Sequence, residues 1–159
     1  MNEAHLVTIA PVRKILQLRA TQAHAFEVFT AGLDRWWPKS HHIGATEPKR
    51  VMIEPRLGGR WLEQAADGTE TVVGHILIWE PPQRFVVSWE INGEWQPDPQ
   101  RGSELELRFI AEGAETTRVE LEHRLFERMG PEGGTKMRDA VERGWPAILE
   151  LFRQVATKT

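Results

Sequence analysis

Few residues in this chain are equipped for chemistry. The 159 residues include no cysteine and no tyrosine, which removes thiol nucleophiles, thiolate metal sites, disulfides and phenolic acids at once. Only Ser40, Ser88 and Ser103 carry a serine hydroxyl, and none sits in a Gly-x-Ser-x-Gly elbow. His123 is the best candidate left. It ends the alternating run Val119, Leu121, His123, so its ring points to the apolar side. An inward imidazole either contacts a ligand and moves protons near neutral pH, or is a structural histidine satisfied at a strand end. The structural role is the favoured one. Glu63 shares parity with Trp61 and is a second acid/base candidate, although the strand ends there and a carboxylate belongs in water. His75 falls on a run with no clear inward side.

His41 and His42 follow Trp36-Trp37-Pro38-Lys39-Ser40. Adjacent rings do not aim at one ion, and no spaced carboxylate or histidine completes a tetrahedral set, so neither metal nor other cofactor is expected. The segment reads instead as the rim of a cavity mouth, where Lys39 and the histidines meet an acidic ligand group. Gly130-Pro131-Glu132-Gly133-Gly134 lacks the Lys-Ser/Thr ending of a phosphate loop and reads as a flexible lead-in to the last helix.

Seven tryptophans supply the contrast. Large aromatic surface with little catalytic equipment suits a container better than a catalyst. Trp36 and Trp79 read as packing residues. Trp95 stands apart on the polar, proline-rich loop Asn92 to Gly102, where it either folds over a cavity or meets a second copy in a homodimer. The net charge of -3 gives no basic footprint for nucleic acid. No run approaches the ~18 apolar residues of a spanning helix, and the first residues do not resemble a secretion signal, so a cytoplasmic protein is expected.

The elements that must position these residues follow from periodicity. Phe85, Val87 and Trp89 alternate with Val86, Ser88 and Glu90, and Leu105, Leu107 and Phe109 alternate with Glu104, Glu106 and Arg108. With the run ending at His123, these are strands wet on one face. The run from Thr71 to Trp79 is apolar on both parities. Leu6 to Leu18 is expected as a first strand bent near Pro11, with Leu16 and Leu18 inward. Thr21 is placed to cap a short helix from Gln22 to Thr30, and a second helical turn, Leu33 to Trp37, stops before Pro38. From Thr135 to Val155 an apolar stripe at spacings of three and four (Met137, Val141, Trp145, Ile148, Phe152, Val155) predicts a covering helix, kinked at Pro146.

Strand, two short helices, six strands and a long helix, with Trp36-Trp37-Pro38, Gly58-Gly59-Arg60-Trp61, Gly74 to Glu80-Pro81-Pro82, Trp89, His123 and Gly144-Trp145 in that order, resembles the SRPBCC superfamily. Within it the pattern is similar to the group named for the activator of heat-shock-protein-90 ATPase. The resemblance implies an α+β helix-grip (START-like) fold: a seven-stranded antiparallel sheet wrapped around a long C-terminal helix, with two short helices between strands 1 and 2. It implies one such domain over residues 1–159, its core about 10–156. It further implies a cavity between sheet and helix for a hydrophobic or amphipathic small molecule. Trp37, His41, Ile53, Trp61, Trp89, Leu107, Leu121, His123, Met137, Val141, Trp145 and Leu149 are the residues placed to line it.

The leading expectation is therefore a small-molecule binding protein, leaning away from an enzyme. The alternatives are a cyclase- or aromatase-like enzyme using His123 or Glu63, and a chaperone-interacting module using the Trp95 loop or the wet sheet face.

Overall fold

A computed structural model describes residues 8–157. The expected strand from Leu6 to Leu18 begins, within the described residues, at Val12; Leu6 and Val7 lie outside them. In chain order the elements are β1 (Val12–Leu18), α1 (Gln22–Phe29), a short 3-10 turn (Leu33–Arg35), β2 (Arg50–Ile53), β3 (Arg60–Gln64), β4 (Glu70–Glu80), β5 (Arg84–Trp89), β6 (Ser103–Gly113), β7 (Thr116–Arg124), a second such turn (Phe126–Met129) and α2 (Pro131–Ala156). All seven strands join one antiparallel sheet in the order β1-β7-β6-β5-β4-β3-β2. The sheet curls around α2, which is the helix-grip arrangement.

The inward parities read from the sequence hold on β5, β6 and β7. Phe85, Val87, Trp89, Leu105, Leu107, Phe109, Val119, Leu121 and His123 are all buried. The opposite face is less wet than its pattern suggests. Val86 and Glu106, paired across β5 and β6, are both nearly inaccessible, because Arg84, Arg108 and Arg124 close over Glu106 with guanidinium nitrogens at 2.8, 2.9 and 2.5 Å. Burial resists the ionisation of Glu106, but the hydrogen bonds from Arg124 and Arg84 outweigh it and hold its carboxyl below the ordinary range.

β4 has no single parity for a structural reason. Its pairing with β3 slips at Trp61/Leu62, leaving Val73 as an extra residue, and its pairing with β5 slips between Ile76 and Ile78, leaving Leu77 exposed. Two irregularities in one strand set Val73, Ile76 and Trp79 against the core at spacings of three rather than two.

Helix boundaries follow capping chemistry. Thr21 accepts the His24 N–H at 3.1 Å and starts α1 as expected. α2 starts earlier than its apolar stripe predicts, at Pro131, so the Gly130 to Gly134 segment is not a flexible lead-in. Proline fits the first helical position, where its missing N–H costs nothing. Gly134 is close-packed: a β-carbon there would lie 2.2 Å from the Phe126 carbonyl oxygen. α2 continues through Pro146 to Ala156. Its buried residues are Gly134, Met137, Val141, Trp145, Leu149, Phe152 and Ala156, so the stripe ends on Ala156 while Val155 is exposed.

Candidate functional site

The groove between sheet and α2 is filled differently at its two ends. At one end α1 inserts Phe26 and Phe29, which meet Phe85 and Phe109 of the sheet and Phe152 of α2 at ring-centroid distances of 5.1 to 6.0 Å. Trp36 belongs to this packed end. It stacks on Phe29 and Phe152 and donates its indole N–H to the Val28 carbonyl at 2.8 Å. α1 puts no side chain at the other end. There a cavity of about 380 Å³ remains, within the size range of small-molecule sites.

Four tryptophans, from β3, β5, α2 and the loop after the first 3-10 turn, form a closed ring beside that space. Trp37 meets Trp61 at 5.1 Å, Trp61 meets Trp89 at 5.9 Å, Trp89 meets Trp145 at 6.2 Å, and Trp145 returns to Trp37 at 6.0 Å. The contacts are edge-on or tilted, the arrangement that aromatic quadrupoles favour. Each indole thus holds its neighbours in place. Trp89 has one further property: its Nε1 is buried with no hydrogen-bond acceptor among the described residues, a state that costs about 1–3 kcal/mol when a donor is left unpaired.

The mouth is built by two loops. After Trp37 the chain runs through Ser40, His41, His42 and Ile43, all on the cavity wall. Glu63 fastens this loop. It is buried on β3, contrary to the expected exposure at a strand end, and its oxygens accept the backbone N–H groups of Ile43 at 2.7 Å and Gly44 at 2.9 Å. Gly44 lies so close to β4 that a β-carbon would stand 2.9 Å from Thr71 Oγ1. His42 turns Nδ1 to the Gly44 carbonyl at 2.9 Å. The second loop carries Trp95, which lines the cavity while remaining 43% exposed. Its φ of 60° is unusual for a bulky residue and is held by the Asn92 side chain, which accepts the N–H groups of Glu94 and Gln96. α2 contributes Ala140, Val141, Gly144, Trp145 and Ile148. Gly144 faces open space, since a β-carbon there would meet nothing within 4 Å.

Trp37, His41, Trp61, Glu63, Trp89, Val141 and Trp145 are brought together on the wall. Ile53, Leu107, Leu121, Met137 and Leu149 are buried in the surrounding core and stand off it. His123 is also off the wall. Trp145 donates its indole N–H to His123 Nδ1 at 3.2 Å, so the ring proton sits on Nε2 and is shared with Ser103 Oγ at 3.1 Å. Complete burial pushes this imidazole down from 6.5 to about 3. Neutral and set back from the wall, His123 braces β7 against the indole of α2. Ser40, His42 and Trp95, read from sequence as parts of a rim or of a loop that could fold over a cavity, also line it, and Ile43, Val73, Ala140, Gly144 and Ile148 complete the wall without having been placed there from sequence. For the α2 positions the signal that could have found them is the small pair Ala140 and Gly144, four apart on one face of the helix.

His75, on β4, pairs with Glu90 at 2.8 Å away from the cavity. Among the described residues no group of three or more His, Asp or Glu side chains is arranged to hold a metal ion, and no helix is long and apolar enough to cross a membrane.

The sequence model of the family described as Activator of Hsp90 ATPase homolog 1-like protein, AHSA1, matches residues 19–157. The chain belongs to this family. Solved structures similar to this AHSA1-family chain include the anthrahydroquino-gamma-pyrone synthase Txn09, 41% identical, with 93% of this chain and 97% of that one covered at a TM-score of 0.65. The self-sacrificing resistance protein CalC from Micromonospora echinospora is 32% identical, with 92% and 93% covered at a TM-score of 0.70. CalU16 from the same organism, 21% identical over 92% of this chain and 81% of its own at a TM-score of 0.60, shares the fold. No curated protein sequence matches the chain.

Proposed function

We propose that this protein binds a flat, polycyclic aromatic small molecule in the tryptophan-ringed cavity, and does so in the cytoplasm. One observation carries the reading: four indoles from four separate stretches of the chain close a ring beside about 380 Å³ of space instead of filling it. Stacking surface without compensating charge selects aromatic ligands. The unpartnered Nε1 of Trp89 supports a ligand bearing an acceptor oxygen, because a small turn of the indole toward such an oxygen would satisfy a donor that is otherwise orphaned. The 41% identity to a synthase of an anthrahydroquino-gamma-pyrone supports the same class of ligand.

A second reading, catalysis of the cyclase type, is favoured by the likeness to a synthase over nearly the whole of both chains. In that reading the groups within reach are those of the mouth, since His123 is walled off behind Trp145.

The test is a titration of ¹⁵N-labelled protein with 2-naphthol and larger fused-ring phenols, followed at the indole N–H resonances. Trp37, Trp61, Trp89, Trp95 and Trp145 border the cavity and Trp36 and Trp79 do not. Saturable shifts concentrated in the first five are expected. No shift in any of the five up to millimolar ligand would overturn the proposal.

A further inference from the structure

We propose that His42 is the ligand's hydrogen-bond acceptor at the cavity mouth, and that the site therefore selects aromatic molecules carrying a hydroxyl on their outer edge. This deepens, and rests on, the binding function proposed above.

The argument begins with the tautomer. Gly44's carbonyl oxygen can only accept, so His42 Nδ1, 2.9 Å away, must carry a proton. In the neutral ring Nε2 is then left with a lone pair and no proton. The ring is half-buried on the cavity wall with its Nδ1 side tied back to its own loop, so in the proposed site the Nε2 edge is the one offered to the ligand.

The ring is also held still. Glu63 takes the two N–H groups that follow His42, those of Ile43 and Gly44, and Gly44 packs on Thr71 of β4. The acceptor is thus fixed by the sheet rather than carried on a free loop, which is the condition for orienting a ligand. Glu63 itself is the other carboxylate or imidazole-type group nearby besides His41. Each of its oxygens already holds a loop N–H and the residue is only 5% exposed, lying behind the loop it anchors, whereas His41 is exposed. His42 is thus the accessible group at the mouth that combines a committed orientation with an uncommitted lone pair. A phenolic or enolic O–H is the complement of such an acceptor, and an ether or a bare ring edge is not.

The experiment compares 2-naphthol with 2-methoxynaphthalene, two probes of the same ring system that differ in the O–H, by titration at the cavity indole resonances. The unmodified protein is expected to prefer 2-naphthol by about three- to tenfold, the worth of one hydrogen bond. His42→Asn keeps a donor near the Nδ1 position for Gly44 and removes the acceptor at Nε2. It should leave the amide resonances of Ile43 and Gly44 in place and bring the two probes to equal affinity. His42→Gln, whose longer amide returns an oxygen to the Nε2 region, should restore part of the preference.

If both probes bind alike to the unmodified protein, or if His42→Asn keeps the full preference, His42 is not the acceptor and the binding proposal stands without it. If neither probe moves an indole resonance, the cavity reading falls and this inference falls with it.

Discussion

Lowering the pH should weaken this fold well before its carboxylates titrate, and His123 is the reason. The ring is completely buried between Ser103 and Trp145, and burial takes its pKa from 6.5 to about 3. Unfolding returns it to water, so between those two values the unfolded chain binds more protons than the folded one. Stability from this group is fully present above the unfolded pKa and is lost as pH falls. The loss amounts to about 1.4 kcal/mol per pH unit once below 6.5, hence about 2 kcal/mol by pH 5 relative to pH 8 and roughly 4–5 kcal/mol by pH 3. Urea denaturation at pH 8, 6.5, 5.5 and 5 measures it, with His123→Gln as the comparison. The variant should be less stable at pH 8 through the loss of the Trp145 contact. It should also lack the slope, so its deficit shrinks by about 2 kcal/mol between pH 8 and pH 5. The other histidines cancel in the comparison. A deficit that stays constant with pH would refute the claim that His123 is held neutral by burial.

Two further outcomes follow from the cavity walls. Gly144→Ala replaces a mid-helix glycine where the new carbon meets nothing within 4 Å, so it should stabilise the protein by about 1 kcal/mol and raise Tm by a few degrees in calorimetry. Gly144→Leu should fold equally well but fill the cavity, abolishing the indole shifts with 2-naphthol; retained binding would mean that the ligand does not reach α2. Glu63→Ala strips the acceptors from the Ile43 and Gly44 N–H groups and should cost about 1–3 kcal/mol. Hydrogen exchange at those two amides should accelerate while the β6 and β7 amides keep their protection, and unchanged exchange would show that Glu63 does not anchor the loop.

The face of each regular strand was legible in the sequence, but the position along the groove was not. Leu107, Leu121 and Trp89 all point inward by the same alternation, yet Trp89 borders open space and the two leucines are packed away from it. Period two reports which side a residue takes, and nothing in it reports whether a helix or a void lies opposite. The same limit separates Met137 and Leu149 from Val141 and Trp145 on one stripe of α2. β4 resisted reading because its two irregular pairings add a residue each, and a bulge leaves no mark in hydropathy. Glu63 was expected in water because its partners are backbone N–H groups some twenty residues away, which no side-chain pattern encodes. His123 pointed inward as expected and proved to be a brace because its ring meets an indole from α2, a contact between distant segments.

The turn bearing Trp95 adds a consequence in time. It joins α2 through an ion pair between Glu94 and Lys136 at 2.8 Å, with both side chains largely in solvent, and such a tie is worth well under about 1 kcal/mol and is weakened by salt. Its backbone is already in a region that costs a bulky residue about 1–3 kcal/mol. Displacing the tip of this turn costs its own closing bonds, such as Asn92 N–H to the Gln96 carbonyl at 2.9 Å, but no pairing among the seven strands of the sheet. A molecule seated among the indoles would come and go through the motion of one short segment, at a residence time that shortens as salt weakens the Glu94–Lys136 pair, while the sheet and helix around it stay closed.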